Sequence, residues 1–225
     1  MNSYTPHLSR RAFLLTSIAT VAACAPRGEL TSIRPDQSGT DVDLLVATNR
    51  EPAANGIGFS STRSPKTHFA GFRVSVPKDH KMGQVELPRR RHDPRKHFSI
   101  VSSDTFSSER AFANEIASRV QRLPLERREA ILYIHGYNVT FSESLFRLGQ
   151  LVHDFGIKGV PLLFSWPSEG EGSGYLYDRD SALIARDTLE ALLDVLNGSQ
   201  VQRIQIIAHS MGSHLLMETL RQRAI

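Results

Sequence analysis

Ser210 stands where a nucleophilic serine is expected, at the junction of an apolar run and a helical pattern. Residues 204–208 predict a strand, and the sequence "AHSMG" leads from it into the next helix. A serine raised on such a tight turn needs small residues two positions before and after it, and Ala208 and Gly212 meet that need. The backbone N–H of Met211 at the helix start would face a developing oxyanion. The pattern predicts acyl-transfer chemistry at Ser210, with a buried hydroxyl or a helix N-cap as the alternatives.

A second S-x-G sequence, at residues 168–170, shows why the surrounding residues matter. It also follows an apolar strand pattern, but Trp166 stands two residues before the serine and is too bulky for the turn. Pro167 would further distort the approach of the chain. Of the two, Ser210 alone combines a strand, small flanking residues and a helix in the required order.

A turn after another apolar run offers a second group that could stabilise an oxyanion. Residues 131–134 predict a strand, and His135-Gly136-Tyr137 follows directly. The strand before such a turn brings a backbone N–H to the oxyanion, and the N–H of Tyr137 is the expected donor. His135 would then hold the loop and not act as the general base, because it must stay on the oxyanion side of the site.

The elements that would position these residues alternate between apolar strands and amphipathic helices. Strands are predicted at residues 44–47, 72–76, 131–134, 160–164 and 204–208, with a Gly/Ser/Pro-rich loop over 51–70. Helices are predicted after Ser107 or Ser108, after a capping box of Thr140 and Glu143, over about 181–196, and after Ser210. Continuous apolar strands separated by helices are typical of a mostly parallel sheet that is buried on both faces, so the sequence predicts an α/β fold.

Four motifs together resemble a bacterial family of α/β hydrolases of unknown function, whose members are often exported lipoproteins. The motifs are YIHGYNVTF, LLFSWPSEG, GYLYDRDSALIARD and IIAHSMGSHLL, and the resemblance covers residues 44–225. It implies the α/β-hydrolase fold, hydrolysis of a small-molecule ester or related acyl substrate by a serine nucleophile, and no cofactor. By motif matching, Ser210 is the nucleophile, and Tyr137 and Met211 supply the oxyanion-hole N–H groups. Trp166 and Tyr175 either line the pocket or pack beneath it.

The acid and the histidine of a catalytic triad are expected after the nucleophile along the chain in this fold. Seven further histidines lie in the elbow, on the helices or far upstream, and none is well placed: His68, His80, His92, His97, His153, His209 and His214. Without a further strand, residues 204–208 would form an exposed apolar edge. We therefore expect the partners downstream of Ile225. The sequence is then the front part of a longer hydrolase, truncated after the nucleophile helix, and a weak or dead catalyst as written.

Residues 1–23 predict an export signal, with a cationic start, an apolar stretch and small residues before a cleavage point. The sequence SRRAFLL resembles a twin-arginine motif, and VAAC resembles a lipobox in which Cys24 is acylated. Residues 24–40 are then a lipidated tether and residues 41–225 the hydrolase domain. We expect an exported protein, lipid-anchored in the cell envelope on the periplasmic face or the cell surface. A disordered tail is disfavoured, because the chain's only cysteine stands where a lipobox needs one.

Composition limits the other classes of function. The 225 residues, 40% hydrophobic and 22% charged, are enough for one globular domain. The net charge of +4 falls to +2 once Arg10 and Arg11 leave with the signal, which argues against a nucleic-acid partner. A single cysteine excludes an internal disulfide framework, and His92 and His97 lack metal-site spacing, so no metal is predicted.

Two further alternatives stay open. The basic run between residues 88 and 100 either binds phosphate or anionic lipid, or is a solvated loop. The protein as a whole is either a serine hydrolase or a non-catalytic envelope lipoprotein that uses a hydrolase scaffold for binding. The sequence predicts no oligomeric state.

Overall fold

The computed structural model describes residues 27–224. The predicted export signal and the predicted lipidation site, Cys24, lie outside this part of the chain. Among the helices within residues 27–224, none has the length and apolar character needed to cross a membrane.

A six-stranded sheet with the order β3-β2-β1-β5-β4-β6 forms the centre of the described structure. Its strands are β1 (Thr40–Pro52), β2 (Phe59–Val76), β3 (Ser99–Phe106), β4 (Glu129–Ile134), β5 (Val160–Ser165) and β6 (Arg203–Ala208). Strands β1, β5, β4 and β6 run parallel, whereas β2 pairs antiparallel with both β1 and β3. This mostly parallel sheet with flanking helices confirms the predicted α/β-hydrolase fold class.

The helices of the described chain follow the strands and cover both faces of the sheet. They are α1 (Glu109–Gln121), α2 (Phe141–Asp154), α3 (Tyr175–Ile184), α4 (Arg186–Gly198) and α5 (Met211–Arg223). Two predicted N-termini are confirmed: Ser108 Oγ accepts the Ala111 N–H at 3.2 Å, and Thr140 and Glu143 form a capping box. These side chains satisfy backbone N–H groups that have no partner within the helix, which fixes where each helix begins.

The sheet separates two hydrophobic layers, one formed with α1, α4 and α5 and the other with α2. The neighbours Leu162 and Leu163 of β5 are both fully buried, and each belongs to a different layer. An unbroken apolar run therefore marks a strand that is covered on both faces, as the sequence predicted.

The loop predicted over residues 51–70 is wrong. Strand β2 begins at Phe59, and the turn between β1 and β2 is confined to residues 53–58. The first part of β2 pairs with the end of β1 across two register shifts on either side of Arg50. Hydrogen bonds between antiparallel strands here override the weak strand propensity of a polar, Ser-rich segment, and the irregular register hides the period of two.

The single helix predicted over residues 181–196 is also wrong. The chain forms α3 and α4, which are separated at Ala185, where ψ is −8°. α3 packs against α4 and α5, whereas α4 also packs against α1 and β1, so the two helices need different directions. Neither Gly nor Pro occupies the junction, and the sequence pattern therefore does not reveal it.

The described part of the predicted tether lies against the domain. Arg27 Nη2 donates to Asn138 Oδ1 at 2.6 Å, and Nη1 forms an ion pair with Glu143 at 3.1 Å. Further along, the Ile33 N–H donates to the Ile100 carbonyl at 2.9 Å. These contacts place Arg27 beside the loop that follows β4.

Candidate active site

Ser210 occupies the turn between β6 and α5 in a backbone conformation that few non-glycine residues adopt. Its φ is 53° and its ψ is −123°. Such a conformation costs on the order of 1–3 kcal/mol and persists only where the surrounding structure imposes it. The residue is exposed, and its hydroxyl makes no N-capping bond to α5. Neither a buried hydroxyl nor an N-cap therefore describes this serine, and the turn has the strand–serine–helix geometry of a nucleophile elbow.

Two glycines allow the chain to fold tightly around Ser210. A Cβ atom on Gly212 would lie under 3.0 Å from the carbonyl oxygens of His135 and Ile134. A Cβ atom on Gly136 would lie 3.0 Å from the Cβ of Ser210. The turn after β4 therefore lies directly against the elbow, as required of a loop that contributes to the same site.

The backbone N–H groups of Tyr137 and Met211 remain the candidate oxyanion donors. Neither donates to another residue of the described chain. Met211 is the first residue of α5, so its N–H lies at the positive end of the helix dipole. The Tyr137 hydroxyl donates to the Gly172 carbonyl at 2.5 Å, and its ring meets the half-exposed ring of Tyr175 edge-on at 5.6 Å. These side-chain contacts fix the orientation of the loop.

His135 is fully buried beneath this loop. Its Nδ1 lies 2.9 Å from the Gly136 carbonyl oxygen and its Nε2 lies 3.0 Å from the Trp166 carbonyl oxygen. The Trp166 ring is buried and stacks on the imidazole at 4.9 Å, so it packs beneath the loop and does not line a pocket. Burial, reinforced by the charge of Arg50, lowers the pKa of His135 to about 3. A neutral imidazole has one N–H and donates to one of these two carbonyls at a time, so His135 is enclosed within the loop and is not a base for Ser210.

A buried carboxylate ties the loop after β4 to the loop after β5. Asp178 of α3 accepts the Asn138 N–H at 3.0 Å and the Ser168 hydroxyl at 2.5 Å through Oδ2, and the Glu169 N–H at 2.6 Å through Oδ1. Ser168 is itself fully buried. The second S-x-G sequence is therefore part of this framework, in agreement with the prediction that it is not a nucleophile.

Arg50 supplies the opposite charge in the same framework. Its fully buried guanidinium donates to Ser165 Oγ at 3.0 Å, to the Ser168 carbonyl at 3.1 Å and to the Val139 carbonyl at 3.0 Å. Burial lowers the pKa of Arg50 to about 9, against the opposing charge of Asp178. Arg50 thus remains a cation at neutral pH and holds the carbonyl groups of both loops.

The histidines of β2 and of the connection after it lie far from Ser210. His68 is on β2, four strands from β6, which corresponds to about 19 Å at ~4.8 Å per strand. β2 ends at Val76, which pairs with Thr40 at the start of β1. The connection over residues 77–98, which carries His80, His92 and His97, therefore begins at the amino ends of the parallel strands, whereas Ser210 lies at their carboxyl ends.

The two histidines nearest in sequence to Ser210 are exposed. His209 precedes it in the elbow and His214 follows it on α5. Within residues 27–224, no histidine side chain forms a hydrogen bond with the Ser210 hydroxyl, and no carboxylate does so either. The described chain thus contributes a candidate nucleophile and candidate oxyanion donors, without a base in contact with the Ser210 hydroxyl.

Two cavities lie elsewhere on the described surface. One, of about 350 Å³, lies between the β1–β2 turn and β3 and is lined by Phe59, His68 and Asp104 among others. Another, of about 460 Å³, borders Arg50 and Phe141. Ser210 lines neither of these two cavities, and it lies exposed at the surface of the described chain.

Residues 108–225, just over half of the chain, match the family described as alpha/beta hydrolase of unknown function (DUF900). The chain belongs to this family. An uncharacterized protein of Nostoc sp. (strain PCC 7120), alr1448, is 29% identical over 126 residues, which are 43% of this chain and 33% of that protein. The chain therefore spans about a third of the length of the curated relative that it matches. No solved structure matches the chain.

The resemblance to these α/β hydrolases is thus confirmed, and the structure brings Ser210, Met211 and Tyr137 to one edge of the sheet. Arg50 and Asp178 were not predicted as site residues from the sequence. Arg50 follows two polar residues after an apolar run, which is the usual appearance of a strand end. Asp178 stands among other charged residues on an amphipathic helix, so nothing in its local sequence marks it as buried.

The buried His135 predicts how this α/β hydrolase responds to acid. Its folded pKa is depressed, so the unfolded chain binds more protons between about pH 6.5 and pH 3. As the pH is lowered through that window, the free energy of unfolding is therefore expected to fall, by up to about 1.4 kcal/mol per pH unit from this group. Denaturant unfolding at a series of pH values measures this dependence, and the free energy of unfolding of His135→Asn should change less steeply with pH than that of the wild type. His214→Asn, which removes an exposed imidazole, should keep the wild-type slope; equal slopes in all three proteins would contradict the assignment.

Proposed function

We propose that this α/β hydrolase is a serine hydrolase acting on an ester or related acyl substrate. The observation that carries the proposal is the strained backbone of Ser210, at φ 53° and ψ −123°, on an exposed turn between β6 and α5. The close packing of the Gly136 turn against this elbow supports it, because nucleophile and oxyanion donors must share one small volume.

In the proposed reaction, Ser210 Oγ attacks the acyl carbon while a histidine takes the hydroxyl proton. The carbonyl oxygen becomes an oxyanion, and the N–H groups of Tyr137 and Met211 donate to it. Collapse of this intermediate breaks the bond to the leaving alcohol, which receives the proton from the histidine. Water then attacks the acyl-enzyme by the same route, releasing the acid and restoring the serine.

The general base and its orienting acid are proposed to lie in a part of the protein outside residues 27–224. Two observations support this. No described histidine contacts the Ser210 hydroxyl, and β6 has a neighbour, β4, on one side only among the described strands. The side chains of β6 alternate between exposed and half-buried. Further strands beside β6 would cover that edge and present residues at the carboxyl end of the sheet, next to Ser210.

We propose in addition that the protein is exported and held in the cell envelope by acyl chains on Cys24. Arg27 lies three residues further on and forms a hydrogen bond with Asn138 and an ion pair with Glu143. Asn138 belongs to the loop over residues 135–140, the candidate oxyanion loop. Three residues span at most about 11 Å. A lipid on Cys24 would therefore keep this edge of the domain close to the bilayer, which favours acyl substrates that reside in or near the membrane. No nucleic-acid partner is proposed.

A fluorophosphonate probe tests the nucleophile on the native protein extracted from its host envelope. The probe is expected to label the protein at Ser210, and Ser210→Ala should abolish labelling. Ser118→Ala, on α1 and away from the elbow, should leave it unchanged. The intact mass of the same sample tests the anchor, because acylation at Cys24 adds the mass of the acyl chains.

The competing function is a non-catalytic envelope lipoprotein that binds through the hydrolase scaffold. The lack of a base in contact with Ser210 among the described residues favours it. A folded native protein that the probe does not label would support this function and reject the hydrolase. Labelling that survives Ser210→Ala would reject Ser210 as the nucleophile.

A further inference from the structure

Four ionisable side chains meet at the end of α2 and in the connection after β2. They form the His80 cluster, defined as His80, Glu86, His153 and Asp154. The His80 and Asp154 side chains are nearly buried, at 6% and 4% exposure, while His153 is one third exposed. α2 starts beside the candidate oxyanion loop and runs for 14 residues, or about 21 Å, before it reaches the cluster. The cluster therefore takes no part in the proposed hydrolysis.

Three atoms of the His80 cluster converge on one point. One ring nitrogen of His80, one ring nitrogen of His153 and a carboxylate oxygen of Asp154 all lie within 4.8 Å of one another. Asp154 Oδ1 is 2.8 Å from His80 Nε2 and 3.3 Å from His153 Nδ1. In a tetrahedral zinc site with bonds of about 2.0–2.1 Å, neighbouring ligand atoms are about 3.3 Å apart. One of the two distances already matches, and the other needs to open by only about half an ångström.

The hydrogen bonds around these atoms are those of a metal site. Ligand histidines usually donate their second ring N–H to a carboxylate, and His80 Nδ1 lies 2.9 Å from Glu86 Oε2. Ligand carboxylates are usually fixed by donors on the free oxygen, and Asp154 Oδ2 accepts the Gly83 N–H at 2.7 Å and the Gln150 amide at 2.5 Å. The convergent atoms of His80 and Asp154 are therefore held in place by hydrogen bonds to Glu86, Gly83 and Gln150.

The charge of the His80 cluster also favours a cation. Two carboxylates face the buried His80, and the nearby Arg147 is directed at the Gln150 side chain and the Gly83 carbonyl.

We propose that His80, His153 and Asp154 bind one zinc ion, with Glu86 orienting His80. Two imidazoles and one carboxylate suit zinc, whereas magnesium and calcium prefer oxygen ligands. A water molecule would complete the coordination on the side of the partly exposed His153. The ion would fasten the connection over residues 77–98 to the end of α2, so its role is structural and independent of the proposed hydrolysis.

Zinc binding to the metal-free full chain tests this site. After chelator treatment and dialysis against Zn²⁺, elemental analysis is expected to give one zinc per folded chain, and zinc should raise the midpoint of thermal unfolding. Co²⁺ should give the visible absorption of a tetrahedral site. His153→Ala, which removes a partly exposed ligand, should weaken zinc affinity at least ~10-fold, and Glu86→Gln should weaken it about 10–100-fold.

His214→Ala is the matched control, because it removes an exposed imidazole from α5 and should bind zinc as the wild type does. Circular dichroism checks that each variant is folded. Wild-type chain that retains no zinc would overturn the proposal and leave a protonated His80 as the bridge between Glu86 and Asp154. Equal zinc affinity in wild type, His153→Ala and Glu86→Gln would overturn it as well, since the ion would then lie elsewhere.

Discussion

Replacing Asp178 with alanine is expected to lower the free energy of unfolding by about 3–5 kcal/mol, the usual effect of removing one partner from a buried ionic network. The carboxylate is fully buried and accepts three hydrogen bonds, from Asn138, Ser168 and Glu169. Without it, these donors lose their acceptor and the buried Arg50 loses the negative charge that most favours its charged form. Urea unfolding of wild type and variant measures the difference.

Asp180→Ala is the matched control for Asp178→Ala. Asp180 lies two residues further along α3, and its carboxylate pairs with Arg179 at 2.9 Å on the surface. Exposed ion pairs of this kind contribute about 0–1 kcal/mol, so the control should unfold close to the wild type. Similar destabilisation by both substitutions would show that the framework around Arg50 and Asp178 does not stabilise the fold as argued.

Asp178→Ala also tests whether Asp178 positions the candidate oxyanion donor, in addition to stabilising the fold. Asp178 holds the Asn138 N–H, one residue after the candidate donor Tyr137. A displacement of about 1 Å at an oxyanion donor can cost on the order of 100-fold in rate. Under conditions where Asp178→Ala remains folded, fluorophosphonate labelling of Ser210 should therefore slow by at least ~10-fold. Labelling at the wild-type rate would mean that Tyr137 keeps its place without Asp178.

Those features of the fold that depend on local pattern were predictable. The parallel strands β4, β5 and β6 are short apolar runs, and their ends are marked by His135, Trp166 and His209. The elbow at Ser210 was predictable because the strand, the small residues and the helix are contiguous in sequence. Helices α1 and α2 start at side chains that cap them.

Features that depend on contacts distant in sequence were not predictable. The start of β2 has a polar, irregular sequence and is a strand because β1 lies beside it. Arg50 is separated by more than 100 residues from Ser165 and Ser168, to which it donates. His80 and His153 converge although 73 residues separate them, so no sequence spacing indicates a metal site. In each case, the burial of a polar group depends on partners that the local sequence does not contain.

Replacing Gly212 with alanine is expected to destabilise the elbow strongly. The added Cβ would lie under 3.0 Å from the backbone oxygens of His135 and Ile134, and backbone atoms of β4 cannot rotate away as a side chain would. Overpacking typically costs about 1–3 kcal/mol, and a clash with backbone belongs at or above the upper end. Urea unfolding should show this loss, and labelling of Ser210 in the native protein should fall by at least ~10-fold.

Gly198→Ala provides the control, because a Cβ atom on Gly198 at the end of α4 meets nothing within 4 Å. In a helix that substitution is expected to be neutral or to stabilise by up to about 1 kcal/mol. Opposite effects on the free energy of unfolding at Gly212 and Gly198 would show that the lack of space around the elbow, and not the loss of glycine itself, causes the destabilisation. If Gly212→Ala were as stable and as reactive as wild type, the β4 turn could not lie against α5 as closely as described. The proposed shared site of Ser210 and Tyr137 would then have to be abandoned, since that close approach is what brings the proposed nucleophile and the candidate oxyanion donor together.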